Sequence, residues 1–495
     1  MDLKFNQKVL KYLQSAVREY QTQEQTQEIR IPEGMPDIAM VLACWGEPVI
    51  RGKEWRSDQV GVTVGVMAKI LYLPEDVGPP QILEAWLPFQ MKCSIPTGQP
   101  DGALQVIPVL RSADARVLSA RKIMVRTNVG MQMEALTPAE FSVYQPDEIP
   151  EDVQLLTNRY YLNLPVEAGE KAFGVDEILE LPASETKIEQ PVRLSLSPQV
   201  LEQKVLADKL IFRGLCVAHL LYRSGDGQLH SRDFDVPFSQ YADLDGEFAP
   251  EATVQVLPIL TNLELEQTPE GAVHLKAGLS GQYMIYDRVA VDMVQDAYSP
   301  VRTVDTEMEK LSVPAVLEQT SQSMNAQADP QVDVMRPVDV SFWREYPYVV
   351  KDGDNGEADL GGTFQMLYYD PEGQLQTAQT RWEDTLRFPA GEDAAICVNL
   401  LSGGKAQYSA GMLRADLLTE ISVTSGQGMD MVTGLKLGEI TQPSPDRPSL
   451  IIIRTDGDSL WQIAKENGAT VDSIRAANAL ADEPAADSVL LIPVF

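Results

Sequence analysis

The strongest pattern in the chain is an alternation of apolar and polar residues that recurs at a fixed distance. Between positions 60 and 72 every even position is apolar or small, which is the period of a half-buried β-strand. These residues are Val60, Val62, Val64, Val66, Ala68, Ile70 and Tyr72. A shift of 150 residues gives Leu210, Phe212, Gly214, Cys216, Ala218, Leu220 and Tyr222. The pattern predicts two copies of one strand, with the even positions facing a core.

The same offset holds beyond this strand. It places Val106–Leu110 on Val256–Leu260, with a proline at the same point of both runs. A third, more divergent copy follows at an offset of 146, which places Pro191–Leu196 on Pro337–Phe342. Since the period far exceeds the ~20–50 residues of a solenoid repeat, each copy should have a core of its own.

Helical spacing is scarce within the copies, and glycine-containing turns separate the apolar runs. We therefore predict a mainly β chain of tandem antiparallel β-sandwich or barrel-like domains, called beads below, with about five to eight strands each. Changes in composition predict these segments: an N-terminal amphipathic segment (1–28), a first bead (29–183), a second bead (184–316), a flexible linker (317–334), a third bead (335–440), a Pro-rich tether (441–449) and a small module (450–495).

The N-terminal segment carries Val9, Leu10, Leu13 and Val17 at the spacing of one helical face. This predicts an amphipathic helix, either docked on the first bead or used to bind a partner. The segment Ile31–Ile38 follows, with two prolines flanking a Gly-Met turn. We interpret it as a rigid loop that holds the chain onto the first bead.

Charge and cysteine usage narrow the class of protein. With 40 basic and 72 acidic residues the net charge is −32, which disfavours nucleic acid and anionic membrane surfaces as partners. The first residues lack the apolar core of a signal peptide, and the sequence has no run of 18 apolar residues. The four cysteines are scattered in apolar contexts, which favours reduced thiols in a cytoplasmic protein.

The sequence offers little for catalysis. No cysteine or second histidine lies at metal-ligand spacing from the three histidines. Asp352–Gly356 begins like a calcium loop, but its glycine comes one position early. There is no phosphate-binding glycine loop and no nucleophile–base pair. We therefore predict a non-enzymatic protein without metal or cofactor.

The segment from 450 to 495 has the most specific pattern. A short apolar strand at 450–454 precedes a Gly-Asp-Ser turn, in which Asp458 or Ser459 can cap a helix. That helix should end at Asn467-Gly468, because glycine tolerates left-handed φ. A second helix at 471–477 and a strand at 489–492 complete a β-α-α-β unit.

This unit resembles the LysM module. The matching positions are Gly457, Asp458, Ser459, Leu460, Trp461, Ile463, Ala464, Val471, Ile474, Asn478, Leu480, Leu491, Ile492 and Pro493. It departs from the usual pattern at Ile451–Ile453 and at Asp487-Ser488. The resemblance implies binding of N-acetylglucosamine polymers such as peptidoglycan. It also implies a groove between two loops, made of Gly457, Asp458, Ser459 and Leu460 on one side and Asn478, Ala479, Leu480 and Ala481 on the other. Trp461 follows the first loop, either as a support of the helix or as a contact residue.

The whole chain resembles the SipL/SpoVID group of spore-coat morphogenetic proteins. The resemblance rests on the Ile31–Ile38 loop, strands ending in Ile70-Leu71-Tyr72 and Leu220-Leu221-Tyr222, the Asp296–Ser299 segment and the LysM-like end. It implies a scaffold protein in the mother-cell cytoplasm, at the forespore surface. There it would bind the spore-coat scaffold ATPase on the forespore outer membrane through the LysM module. Other coat proteins are further expected partners. The alternative is a peptidoglycan-binding protein that uses the beads as spacers.

Overall fold

The computed structural model describes residues 2–3, 5–76, 78–98, 101–182, 185, 187–269, 271–313, 316–391, 394–424, 428–441 and 448–494. Ala183, Pro314 and Ala315, at the ends of the runs that follow the first two repeats, lie outside the described residues. So do residues 442–447 of the predicted tether. The described chain is mainly antiparallel β-structure, as predicted, and its two short helices lie in the C-terminal module.

The first bead is a sandwich of two three-stranded antiparallel sheets. After a two-residue strand β1 (Asp2–Leu3), its strands are β2 (Phe5–Arg30), β3 (Ile38–Arg56), β4 (Gln59–Pro74), β5 (Gln81–Ser94), β6 (Ala103–Ser119) and β7 (Lys122–Pro146). The strand orders are β2-β7-β6 and β3-β4-β5. Val62, Val64 and Val66 of β4 are at most 1% exposed, so the predicted core face is confirmed.

The second bead repeats this arrangement. Its strands are β8 (Gln154–Leu179), β9 (Ile188–Ser224), β10 (Leu229–Phe248), β11 (Thr253–Gln267) and β12 (Val273–Tyr298). The long strand β9 covers the counterparts of both β3 and β4. Ala207, with a left-handed φ of 53°, lies at the counterpart of the turn between those strands. Phe212, Gly214 and Cys216 are buried as predicted.

The third bead has the same plan in more pieces. Its strands are β13 (Val304–Leu311), β14 (Val316–Ala328), β15 (Arg336–Arg344), β16 (Tyr348–Asp352), β17 (Asn355–Tyr369), β18 (Leu375–Pro389), β19 (Ala395–Ser409), β20 (Met412–Thr424) and β21 (Met429–Leu437). The turns at Gly227 and Gly373, 146 residues apart, are built alike: each glycine is left-handed and donates its N–H to the carbonyl three residues earlier. This likeness supports the third copy.

The N-terminal segment is a strand, and the predicted helix is wrong. β2 pairs with β7 from Phe5 opposite Pro146 to Arg30 opposite Lys122. A bulge between Ser15 and Val17 adds one residue to the strand. Before this bulge, Val9 is 46% exposed whereas Leu10 packs against the cluster that contains buried Tyr12, so apolar residues on both faces of the strand imitate a helical spacing. Pairing along the 25 residues of β7 outweighs the local preference of the segment.

Each bead begins with a strand that the predicted boundaries place elsewhere. β2 belongs to the first bead and is no separate segment at 1–28. β8 opens the second bead, although it falls within the predicted first bead at 29–183. In the third bead, β13 pairs with β21 although it falls within the predicted second bead at 184–316, and β14 pairs with β20 although nearly all of it falls within the predicted flexible linker at 317–334. The exposed faces of β2 and β14 are rich in Gln, Thr, Ser and Glu, so the apolar alternation of these two strands is weak.

The beads close into a ring instead of following one another along the chain. β3 of the first bead packs against β11 of the second, β9 of the second against β19 of the third, and β15 of the third against β6 of the first. Since these strands are counterparts, one head-to-tail contact is used three times, and it closes a ring because the rotation fits. The result is a pseudo-threefold arrangement within one chain.

Several shared apolar clusters join the beads. Leu71, Leu221 and Leu367 occupy equivalent positions, are at most 1% exposed and lie in one cluster. In a second cluster the outer halves of the first and last strands of the beads pack together. Its buried residues are Tyr12, Phe141, Val143, Leu162, Leu164, Val291, Met293, Val313 and Met431. The ring is therefore held by buried apolar surface at several places.

The Ile31–Ile38 loop is fixed onto the first bead. Arg121, in the turn between β6 and β7, donates hydrogen bonds to the carbonyls of Met35 and Pro32 at 2.6 and 2.8 Å. It also pairs with Asp37 at 2.7 Å. Both ends of the loop are buried in the core of the bead. The contacts support its interpretation as a rigid entry loop.

Candidate functional site

The C-terminal module has the predicted β-α-α-β order. Its elements are β22 (Leu450–Arg454), α1 (Leu460–Asn467), α2 (Val471–Asn478) and β23 (Val489–Pro493). Ser459 caps α1, because its side chain accepts a hydrogen bond from the N–H of Gln462. Gly468, at φ 61°, ends the helix in the left-handed conformation that favours glycine.

The first predicted loop presents mostly polar side chains to solvent. Gly457 has a φ of 92°, a conformation that other residues rarely adopt. Asp458 and Ser459 are exposed. Leu460 differs from this expectation, because its side chain is fully buried in the module core. Its backbone N–H donates to Oε2 of Glu483 at 2.8 Å.

The second predicted loop begins with a residue that has a structural task. The side-chain amide of Asn478 donates to the carbonyl of Leu491 at 2.7 Å, and its oxygen accepts from the Leu491 N–H at 2.8 Å. Asn478 thereby joins α2 to β23 as a neighbouring strand would. Ala479 is exposed and left-handed at φ 51°, Leu480 packs against the module core, and Ala481 is exposed.

Glu483 connects the two loops and was not found from the sequence. Its carboxylate accepts the first-turn N–H of α1, the end of a helix that favours negative charge. The same side chain lies 3.9 Å from Arg475 of α2. A carboxylate placed after α2 gives no sequence signal for this contact, since the two loops meet only in the folded module.

Trp461 faces the second bead. Its indole N–H donates to Oδ2 of Asp296 at 2.8 Å, and its ring meets that of Tyr298 edge to face at a centroid distance of 4.7 Å. Lys465, one turn further along α1, pairs with Asp296 at 2.7 Å. Tyr298 is buried in the core of the module, and its hydroxyl donates to the carbonyl of Ala469 at 3.0 Å.

The electrostatics of this contact favour its charged form. Burial alone would raise the pKa of Asp296, but hydrogen bonds from Lys465 and Trp461 outweigh burial, so the pKa lies below its usual value. Burial, together with the charges of Asp296 and Asp472, raises the pKa of Tyr298 to about 12. Asp296 is therefore ionised and Tyr298 neutral at physiological pH.

The outer face of the two-stranded sheet is apolar. Leu450, Ile452, Val489 and Leu491 project from it, and Ile452 and Val489 are 66% and 64% exposed. The solvent face of a small antiparallel sheet is more often polar. The sequence carries a signal for this face, because β22 and β23 have apolar residues at consecutive positions. Consecutive residues of a strand point to opposite faces, so both faces of this sheet are apolar.

Comparison with known families matches two parts of the chain. Residues 187–267, within the second bead, match the SPOCS domain of SipL. Residues 455–493 match the LysM domain. The chain thus combines the domains expected of a SipL-type protein with a C-terminal LysM module. No curated protein and no solved structure matches it.

The domain content is that of a sporulation coat-related protein with a LysM binding module. Both families are non-catalytic binding or scaffold domains. The matched SPOCS segment covers β9 to β11, whose counterparts in the first bead are β3 to β6. The 150-residue repeat thus relates the first bead to the recognised domain.

The described residues contain neither a metal-ligand cluster nor a helix that could span a membrane. Among the residues that the structure describes, no three His, Cys, Asp or Glu side chains are grouped to hold a metal ion. Neither helix in the described ranges has the length and apolar character needed to cross a membrane.

Proposed function

We propose that this SipL-type protein is a non-enzymatic scaffold of the spore coat. Its LysM module binds the scaffold ATPase on the forespore outer membrane, and this contact promotes encasement of the forespore by coat layers. The protein works in the mother-cell cytoplasm, at the forespore surface, and other coat proteins can use the remaining surface of the ring. The observation that carries the proposal is the combination of a SipL SPOCS bead with a LysM module in one chain.

The geometry of the groove favours a protein over a glycan as the ligand. A sugar needs free hydrogen-bonding groups for its hydroxyl and acetamido substituents. The N–H of Leu460 is already bound by Glu483, and the amide of Asn478 is bound by the backbone of Leu491. Trp461 is turned toward the second bead. These three groups are therefore not free to bind a sugar in this conformation.

Charge indicates the chemistry of the protein partner. From 450 to 495 the module has seven acidic and three basic residues, a net charge of −4. The exposed residues of the two loops, among them Asp458 and Asp482, lie on this acidic surface. A partner with a basic patch, or with apolar side chains for the outer sheet face, would complement it.

The competing function is binding of peptidoglycan. It is favoured by the LysM match itself, since LysM domains bind such glycans. In that case the acidic ring would act as a spacer, and oligomers of N-acetylglucosamine would bind in the groove without any protein partner.

One pair of variants tests the proposal in the full chain. Ala481→Arg places a positive charge on an exposed position of the second loop, and Ala476→Arg makes the same change on the exposed face of α2. We expect Ala481→Arg to weaken retention of the scaffold ATPase by tenfold or more, about 1.4 kcal/mol, while Ala476→Arg binds as wild type. Surface changes of this kind leave folding stability within about 0.5 kcal/mol.

The same proteins are titrated with N-acetylglucosamine oligomers by calorimetry. The proposal expects no measurable heat of binding. Micromolar binding of the oligomers that is lost in Ala481→Arg, together with no retention of the ATPase, would establish the glycan-binding alternative instead.

A further inference from the structure

The second bead carries a docking surface for the LysM module. It consists of Asp296 and Tyr298 at the end of β12, and they contact Trp461, Lys465 and Ala469 of the module. Asp296 accepts three hydrogen bonds from the module, at 2.7 to 2.8 Å, with both of its oxygens. The contact thus combines a charge-assisted pair with a buried aromatic ring.

The local structure explains why this surface exists on one bead. A bulge between Val294 and Asp296 inserts one residue into β12 opposite β8, which changes the direction of the following side chains. At the counterparts in the first bead the residues are Pro146 and Glu148. Pro146 lacks the carboxylate of Asp296, and Glu148 lacks the aromatic ring of Tyr298. The module is therefore matched to the second bead and not to the first.

The contact covers one face of the module and leaves another open. Trp461 and Lys465 project from the same side of α1 and are engaged by the bead. The exposed residues of the groove loops, such as Asp458 and Ala481, remain accessible to solvent. A large partner that bound these loops and extended over the neighbouring α1 face would meet the second bead.

We propose that this contact is an autoinhibitory latch, in which the second bead holds the α1 face of the LysM module until a protein partner displaces it. The inference rests on the proposed function, because the partner is the scaffold ATPase. The displaced groups are Asp296 and Tyr298, and the groups that become available to the partner are the Trp461 indole and the Lys465 ammonium group.

The contact between the second bead and the module has the properties of a reversible interaction. The side chains of Asp296 and Lys465 keep 25% and 39% of their surface exposed, so solvent screens the pair. Contacts between domains of one chain resemble transient protein interfaces. The module is joined to the third bead by a short connection after Thr441, which keeps its effective concentration at the bead high, on the order of millimolar. At that effective concentration even a modest interface between bead and module is closed most of the time. A partner that binds the module more tightly can still displace the bead.

Variants on the bead side test the latch without changing the module. Asp296→Lys replaces the ion pair with repulsion against Lys465, and Tyr298→Ala removes the buried ring. Asp292→Lys is the matched control, because Asp292 lies on the same strand and pairs with Arg159, away from the module. Asp296→Lys with Lys465→Asp restores an ion pair of reversed polarity. All are made in the full chain.

Hydrogen exchange measured by mass spectrometry reports the latch directly. Peptides covering 294–300 and 460–470 should exchange faster in Asp296→Lys and Tyr298→Ala, and as wild type in Asp292→Lys and in the charge-reversed pair. Unchanged exchange in Asp296→Lys and Tyr298→Ala would show that no latch holds the module.

Affinity for the scaffold ATPase reports the inhibitory role. We expect Asp296→Lys and Tyr298→Ala to bind it about fivefold or more tightly than wild type, the lower end of typical coupling between sites. Equal or weaker binding would overturn autoinhibition and mean that bead and module bind the partner together. If neither wild type nor any variant binds the ATPase, the proposed function fails and the inhibitory role fails with it, whereas the exchange data still decide whether the latch exists.

Discussion

His219 is the residue at which the ring should respond most sharply to pH. It lies on β9, and its two ring nitrogens are each 2.5 Å from a carboxylate oxygen, one of Asp233 and one of Asp339. Asp339 comes from the third bead, is 2% exposed and also accepts from Arg193 at 2.9 Å. The Arg193 guanidinium lies over the ring of Trp45, 5.2 Å from its centroid. One buried network therefore joins all three beads.

The network stabilises the charged imidazolium. Burial alone would lower the pKa of His219, but the charge of Asp339 and the hydrogen bonds to Asp233 and Asp339 outweigh it and raise the pKa to about 9. The unfolded chain titrates near 6.5. The stabilisation is therefore complete below pH ~6.5 and is lost as the pH rises through about 9. A difference of about 2.5 pKa units corresponds to about 3 kcal/mol.

His219→Gln removes this charge and keeps a side chain that can donate a hydrogen bond to Asp339. Glutamine already occupies the equivalent position of the third bead, as Gln365. We expect the variant to be less stable than wild type by about 3 kcal/mol at pH 6, with a difference that approaches zero at pH 10. Urea unfolding at pH 6, 7.5, 9 and 10 measures the difference.

The control is His274→Gln. His274 pairs with Asp176, whose side chain is 71% exposed, so the pair should contribute less than about 1 kcal/mol. The burial of Glu47, which raises its pKa to about 7, also makes wild type less stable as the pH rises, but it acts equally in both variants and cancels from the difference. A His219→Gln difference that does not change with pH, or one no larger than that of His274→Gln, would refute the role given to the network.

Three further predictions address the core, the entry loop and the groove. Val64→Asp places an unpaired charge at a fully buried position and should destabilise the first bead by more than about 4 kcal/mol, seen as loss of its cooperative melting in calorimetry; near-wild-type melting would mean that the core face is misassigned. Arg121→Ala removes the hydrogen bonds that hold the entry loop and should increase its cleavage by a protease, whereas Arg116→Ala, an exposed neighbour, should not. Glu483→Ala leaves the Leu460 N–H without its partner and should lower the melting temperature of the LysM module, with a free-energy cost of about 1 kcal/mol; an unchanged transition would show that the bond contributes nothing.

The repeat and the core strands could be predicted because one face of each strand is buried. β4 has a strict period of 2 over its central residues, and the offset of 150 carries it onto β9. The module could be predicted for the same reason, together with its capping residues Ser459 and Gly468. In each case the signal is local and depends on neighbours in the sequence.

The first strand of each bead could not be predicted in this way. β2 and β14 are edge strands with polar outer faces, so their apolar alternation is weak. Each pairs with a strand far away in the sequence, and such pairing leaves no local pattern. In β2, apolar residues on both faces of the strand also gave a spacing that resembles one face of a helix. The boundaries between the beads were displaced by one strand as a result.

The packing of the three beads into a ring leaves one signal in the sequence. Leu71, Leu221 and Leu367 each interrupt an alternation by adding an apolar residue between two others, which indicates burial on both faces of the strand. The side chain of this leucine points away from the core of its own bead and is buried against the other beads. The docking of Trp461 on Asp296 had no such signal, because it joins residues 165 positions apart through side chains of ordinary composition.

The central claim is that the LysM module brings this SipL-type protein to the forespore by binding a protein there. It is tested most directly by imaging fluorescent fusions of the full chain in sporulating cells. Wild type and Ala476→Arg should surround the forespore, whereas Ala481→Arg and a chain lacking 450–495 should stay dispersed in the mother cell at equal abundance. Encasement by the truncated chain at wild-type efficiency would contradict the claim, because it would place the recruiting surface on the beads.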